Sequence, residues 1–122
     1  MMFRILVIDD SSLARRTLSR ILEPADYEVI EAEDGLIGLE KFMIERPDLV
    51  FLDLTMPGLS GIEVLEKMRE IDPEVRVIVA TADIQTFTRT LAAEAGALAF
   101  IMKPFEKDAV LDAVRSALSR GE

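Results

Sequence analysis

The chain has 122 residues, a formal net charge of -9, and neither cysteine nor histidine. Its length suits a single domain over residues 1–122, burying roughly two thirds of the surface its unfolded form exposes. The composition excludes disulfides, thiolate zinc sites and every triad built on histidine or cysteine, and the scattered basic residues argue against a nucleic-acid surface.

Met1-Met2-Phe3-Arg4 carries no signal-peptide pattern, and no apolar stretch approaches the length of a membrane span, so a soluble cytoplasmic protein with no membrane partner is expected. The first apolar run, Ile5 to Ile8, ends in Asp9-Asp10. Ser11-Ser12 then offers a helix N-cap, with Ala14, Leu18, Ile21 and Leu22 on one face, Arg15, Arg16 and Arg20 elsewhere, and Pro24 as the stop. Tyr27 to Glu31 reads as a more polar strand suited to a sheet edge, where Glu28, Glu31, Glu33 and Asp34 form a solvated acidic rim. Asp34 caps a second helix carrying Leu36, Leu39, Phe42 and Met43, ended by Pro47. Leu49 to Leu52 is a strand ending in Asp53; the turn-rich segment Thr55 to Gly61 leads into a helix with Ile62, Leu65 and Met68 inward, closed by Asp72-Pro73. Val77 to Ala80 runs into Thr81, and Ile84, Phe87, Leu91 and Ala95 make a fourth helical stripe that Gly96 stops. Leu98 to Met102 ends in Lys103, and Val110, Val114, Ala117 and Leu118 form the last stripe, with Gly121 beyond it. The six methionines and six phenylalanines fall at helix or strand spacing and read as core.

Five strands alternating with five helices imply an α/β, doubly wound parallel sheet. Such sheets bind ligands at the carboxyl ends of their strands. Asp9, Asp10, Asp53, Thr81 and Lys103 would therefore share one rim. Taken singly, Asp53 is a turn residue, Lys103 a snorkelling surface lysine and Thr81 a β-branched strand end. Together they say more, because clustered carboxylates repel by about 4 kcal/mol per pair at an effective dielectric near 20, and a cation relieves that. With oxygen ligands only, Mg²⁺ is the expected ion and Mn²⁺ its substitute. Lys103 is followed by Pro104, which fixes the backbone beside the ammonium and favours a cis bond. An ammonium and a metal flanking Asp53 would stabilise charge on a transferring phosphoryl group.

These residues resemble the receiver domain of two-component response regulators. The resemblance spans nearly the whole chain: Asp9-Asp10, Asp53, Met56-Pro57 and Gly61 in the following loop, Thr81-Ala82, and Phe100 through Lys103-Pro104-Phe105. It implies a CheY-like, flavodoxin-like sheet of order 2-1-3-4-5, for which CheY and flavodoxin are the usual examples. It further implies that Asp53 takes a phosphoryl group from a phosphohistidine on a sensor histidine kinase or histidine phosphotransfer protein. Asp10, Asp53 and the Thr55 backbone carbonyl would bind Mg²⁺ directly, with Asp9 acting through water. Lys103 would pair with Asp53 before transfer and with the phosphoryl group after it. Thr81 would bond the phosphoryl group and draw its loop inward, making room for Phe100 to rotate.

The readout implied is the face of helix 4, strand 5 and helix 5, docking a phosphorylation-dependent target as chemotaxis or phosphorelay regulators do. Activity would be limited to self-phosphotransfer and autodephosphorylation. Thr55 and Asp83 flank the route of the attacking water, and the small Ala82 leaves the pocket open to small donors and a phosphatase. Phe100 lacks the hydroxyl of the tyrosine also common there. Two alternatives stand beside this reading: a receiver-like interaction module that is never phosphorylated, and a haloacid-dehalogenase-type phosphatase, which would need an acid where Thr55 stands.

Overall fold

The computed structural model describes residues 2–56, 58–82 and 85–119. Its elements are β1 (Arg4–Ile8), α1 (Ser12–Leu22), a 3-10 turn (Glu23–Ala25), β2 (Glu28–Ala32), α2 (Gly35–Glu45), β3 (Leu49–Leu52), α3 (Gly61–Ile71), β4 (Val77–Thr81), α4 (Thr86–Glu94), β5 (Ala99–Met102) and α5 (Lys107–Ser119). All strand pairs are parallel, in the order β2-β1-β3-β4-β5. The expected fold and strand order are therefore present, with the polar β2 at an edge.

Strand alternation divides the core. Leu6, Ile8, Val50, Leu52, Val77 and Val79 face α2, α3 and α4, meeting Leu39, Phe42, Val64, Leu65, Met68 and Ala92. Ile5, Val7, Leu49, Phe51, Ile78 and Ala80 face α1 and α5, meeting Leu18, Leu22, Val110 and Val114. Each such side chain, once buried, contributes about 1.5–3 kcal/mol, so both faces of the sheet are secured by their helices.

Side-chain caps start the helices where the sequence suggests. The Ser11 hydroxyl accepts from the Ala14 amide at 3.1 Å, and the Asp34 carboxylate from the Ile37 amide at 2.8 Å. Ser60 caps α3 in the same way. Gly96, at φ 108°, turns the chain out of α4 in a conformation that L side chains rarely adopt.

The end of the first helix is as expected, α1 stopping at Leu22 just before Pro24, which sits in the 3-10 turn at a position that needs no amide donor. Several other local expectations need correction. On α2, Leu39 and Phe42 are buried but Leu36 (63% exposed) and Met43 lie outside, since the stripe facing the sheet is narrower than the apolar run. On α4 the fully buried residue is Ala92, and Leu91 is exposed. Ile84, the Phe87 side chain and Gly121 lie outside the described residues. Met2, Phe3, Met43 and Met102 are exposed, so the methionines and phenylalanines are not uniformly core. The acidic rim near β2 is also more engaged than a solvated edge: Glu28 pairs with Arg4, Glu31 with Arg15, and Asp34 caps α2.

Candidate functional site

Sheet register assembles the site. Ile8 lies level with Leu52 across β1 and β3, so Asp9 and Asp53 leave adjacent strands side by side. Their backbones continue the ladder by one bond, the Asp53 amide donating to the Ile8 carbonyl at 3.0 Å. Thr81 pairs with Met102, and Lys103 follows at the end of β5 with its amide donating to the Thr81 carbonyl at 3.0 Å. The Lys103-Pro104 bond is cis, as its sequence suggests.

Asp9 and Asp53 are each only 2% exposed, whereas Asp10 is exposed. Carboxylate oxygens of all three come within 4.8 Å of one another. Lys103 Nζ sits between the two buried acids, 2.8 Å from Asp9 Oδ2 and 3.8 Å from Asp53 Oδ2. The pairing with Asp53 that the sequence reading expects is present at the longer distance, and Asp9 is the nearer partner. Asp53 already receives bonds through its other oxygen: the Thr55 amide and hydroxyl donate to Oδ1 at 3.3 and 3.2 Å. Asp9 Oδ1 accepts from the Ser11 amide at 2.9 Å. Burial pushes the Asp9 carboxyl above its ordinary value of 3.8, aided by the Asp53 charge and opposed by Lys103 and the Ser11 amide.

Thr81 is 1% exposed, and its Oγ1 has no hydrogen-bond partner. A buried hydroxyl without a partner is uncommon, and one at the same rim as Asp53 and Lys103 is suited to an incoming acceptor oxygen. The exposed Ala82 follows it. Phe100 is half-buried in β5, and the Arg89 guanidinium of α4 lies 5.0 Å above its ring centroid, within cation-π range.

The structure therefore brings Asp9, Asp10, Asp53, Thr55, Thr81 and Lys103 to one end of the sheet, with Phe100 on β5 three residues before Lys103. Asp83 and Pro57 lie outside the described residues. The donor set is hard and anionic, with no thiol or imidazole anywhere in the chain, which fits Mg²⁺ or Mn²⁺ and disfavours softer metals.

Sequence reasoning missed three contributors. Arg89 gave no signal beyond helical spacing. Gly61 was visible only as a loop residue, yet a Cβ there would stand 2.5 Å from Leu54 Cα and 2.7 Å from the Asp53 carbonyl oxygen, so α3 reaches the end of β3 only through glycine. Arg15 was placed off the helix's apolar face, but its guanidinium bonds the Asp9 carbonyl at 2.7 Å.

A carboxylate-lined rim with an ammonium and an unsatisfied hydroxyl, at the strand ends of a 2-1-3-4-5 sheet, defines a phosphoryl-handling signalling class. The sequence model of the response regulator receiver domain matches residues 5–115, and the chain belongs to this family of phosphorylation-dependent signalling switches. Among individual proteins it is similar to the chemotaxis protein CheY of Bacillus subtilis, 40% identical over 98% of this chain and 100% of that protein. It is also similar to sporulation initiation phosphotransferase F of Bacillus subtilis, 39% identical over 94% of this chain and 93% of the relative. Among solved structures, the CheX-CheY-BeF3-Mg complex of Borrelia burgdorferi superposes with a TM-score of 0.92 at 31% identity, covering 97% of this chain and 90% of that one. Family membership removes the haloacid-dehalogenase alternative. No helix among the described residues is long and apolar enough to cross a membrane.

Proposed function

We propose that this chain is a Mg²⁺-dependent phosphoacceptor that takes one phosphoryl group onto Asp53 and converts it into a change at the α4-β5-α5 face. The observation that carries the reading is the setting of Asp53: buried at the end of the central strand, within 4.8 Å of two further carboxylates and 3.8 Å from an ammonium.

Asp10, Asp53 and the Thr55 carbonyl would hold the metal directly, and Asp9 through water. When bound, the divalent cation would offset the negative charge of the carboxylates and of the phosphoryl oxygens. The Asp53 carboxylate supplies the nucleophile: an oxygen-phosphorus bond forms as the nitrogen-phosphorus bond of a partner's phosphohistidine breaks, and the imidazole departs with that bonding pair. Thr55 orients the carboxylate through Oδ1. Lys103, released from Asp9 by a short side-chain movement, neutralises a phosphoryl oxygen; the Thr81 hydroxyl donates to another and so gains the partner it lacks.

The modification adds about -1.5 to -2 charges next to these donors. Movement of Thr81 toward the phosphoryl group favours an inward Phe100 and shifts an existing equilibrium at the output face. The donor is a sensor kinase or histidine phosphotransfer protein, the readout is docking of a target, and a phosphatase can reset the switch. Since phosphohistidine donors are charged from ATP inside the cell, the proposal places the chain in the cytoplasm. No catalytic turnover on an external substrate is assigned, only self-phosphotransfer and autodephosphorylation.

Beryllofluoride with Mg²⁺ tests this reading, because the pair imitates an acyl phosphate. Amide spectra should shift at Thr81, Ala82 and Phe100 in the wild type and stay unchanged in Asp53→Asn. Equal spectra with and without the reagent in the wild type would instead indicate a passive interaction module.

A further inference from the structure

We infer that Arg15 is a positioning residue for the metal site, fixing the peptide that carries Asp10. The inference rests on the metal-binding reading above and adds a determinant outside its ligands. Asp10 is exposed, and no hydrogen bond or ion pair to its carboxylate is found among the described contacts, so its aim toward Asp53 depends on its backbone. The carbonyl of Asp9 belongs to the peptide joining Asp9 to Asp10. Arg15 Nη1 donates to that carbonyl at 2.7 Å, while Arg15 Nε donates to Glu31 Oε1 at 3.1 Å. The arginine side chain is 16% exposed and spans from α1 to β2. A rigid fork using two different nitrogens on two acceptors holds direction as well as distance.

Glu31 is itself anchored. The Lys41 ammonium of α2 donates to the Glu31 carbonyl at 2.5 Å, and Glu31 pairs with Val7 in the sheet register. The Asp9 amide donates to the Ala32 carbonyl at 3.1 Å, and the Asp9 side chain accepts from Ser11. Arg15 completes this frame at the carbonyl of the peptide that joins Asp9 to Asp10. Side chains that orient ligands from outside the coordination sphere typically govern metal affinity about 10–100-fold.

Position and charge predict opposite signs here, which makes the inference testable. A guanidinium bonded to the backbone of Asp9 repels a cation arriving at the neighbouring carboxylates, so its removal by electrostatics alone tightens Mg²⁺ binding. If Arg15 instead aims Asp10, removal weakens binding. Calorimetric Mg²⁺ titration of Arg15→Met should give about 10-fold weaker affinity. Arg15→Lys keeps the charge but loses the fork, and should fall between wild type and Arg15→Met. Far-UV circular dichroism and the metal-free melting temperature check that both variants are folded.

At saturating Mg²⁺, phosphorylation by a small acyl phosphate should return to within about twofold of wild type in Arg15→Met, since the ligands remain and only their arrangement has been loosened. A general structural defect would depress rate and affinity alike. Unchanged or tighter Mg²⁺ binding in folded Arg15→Met, with binding by wild type abolished in Asp10→Ala, overturns the role of Arg15 alone. Absence of saturable Mg²⁺ binding in the wild type overturns the metal reading beneath it.

Discussion

Two buried side chains show what the site costs before it is used. Asp9 is held nearly free of solvent beside Asp53, and its carboxyl is shifted upward mainly by that burial. Between its ordinary value of 3.8 and the raised native value, the folded chain binds more protons than the unfolded one. Stability contributed here is therefore present at low pH and lost as pH rises through the native value. In metal-free protein, Asp9→Asn should melt higher than wild type at pH 7, and the gain should vanish as pH approaches 3.8. A lower melting temperature at pH 7 would mean that the Lys103 bond outweighs burial and repulsion. Thr81 gives the second case. Replacing its unpartnered hydroxyl by a methyl in Thr81→Val should leave metal-free stability unchanged or raise it by about 1 kcal/mol, while abolishing the beryllofluoride-induced shift at Phe100. Destabilisation by a similar amount on chemical denaturation would show that the hydroxyl is satisfied in the resting protein.

At the scale of elements, the site depends on how closely α3 approaches β3. Gly61→Ala would press a methyl into the Leu54 Cα and the Asp53 carbonyl, both backbone groups that cannot rotate away. Denaturant titration should show a loss of about 1–3 kcal/mol, and phosphorylation should slow because the acceptor strand end shifts. Wild-type stability with wild-type phosphorylation would mean that α3 can withdraw freely. This contact also marks the limit of sequence reading. Alternating apolar runs and helix caps at Ser11 and Asp34 exposed the fold, because strand and helix periods are local properties. The strand-end polar groups exposed the site, since a parallel sheet gathers its carboxyl ends. Periodicity could not give the width of a buried stripe, which is why Leu36 and Met43 seemed equivalent to Leu39 and Phe42. Nor could it reveal the Arg15 fork, the Arg89 stack on Phe100, or Lys103 choosing Asp9, all of which are set by long-range packing and competition among acceptors.

Across the whole molecule, the sheet order would couple the proposed phosphoryl chemistry to the proposed readout through neighbouring strands. β3 presents Asp53 at the centre, β1 and β4 flank it with Asp9-Asp10 and Thr81, and edge strand β5 carries both Phe100 and the approach to Lys103. A charge added at the centre is thus two strands from β5 and the output face proposed for it. The net charge of -9 makes neutralisation by a cation and Lys103 part of the same device. The central claim is that Asp53 is the phosphoacceptor. It is tested most directly by treating the chain with a small acyl phosphate and Mg²⁺, reducing with borohydride, and mapping the resulting homoserine by tandem mass spectrometry. One modified residue per chain at position 53, absent in Asp53→Asn and after chelation of Mg²⁺, is the predicted result; modification elsewhere, or none in the wild type, would contradict it.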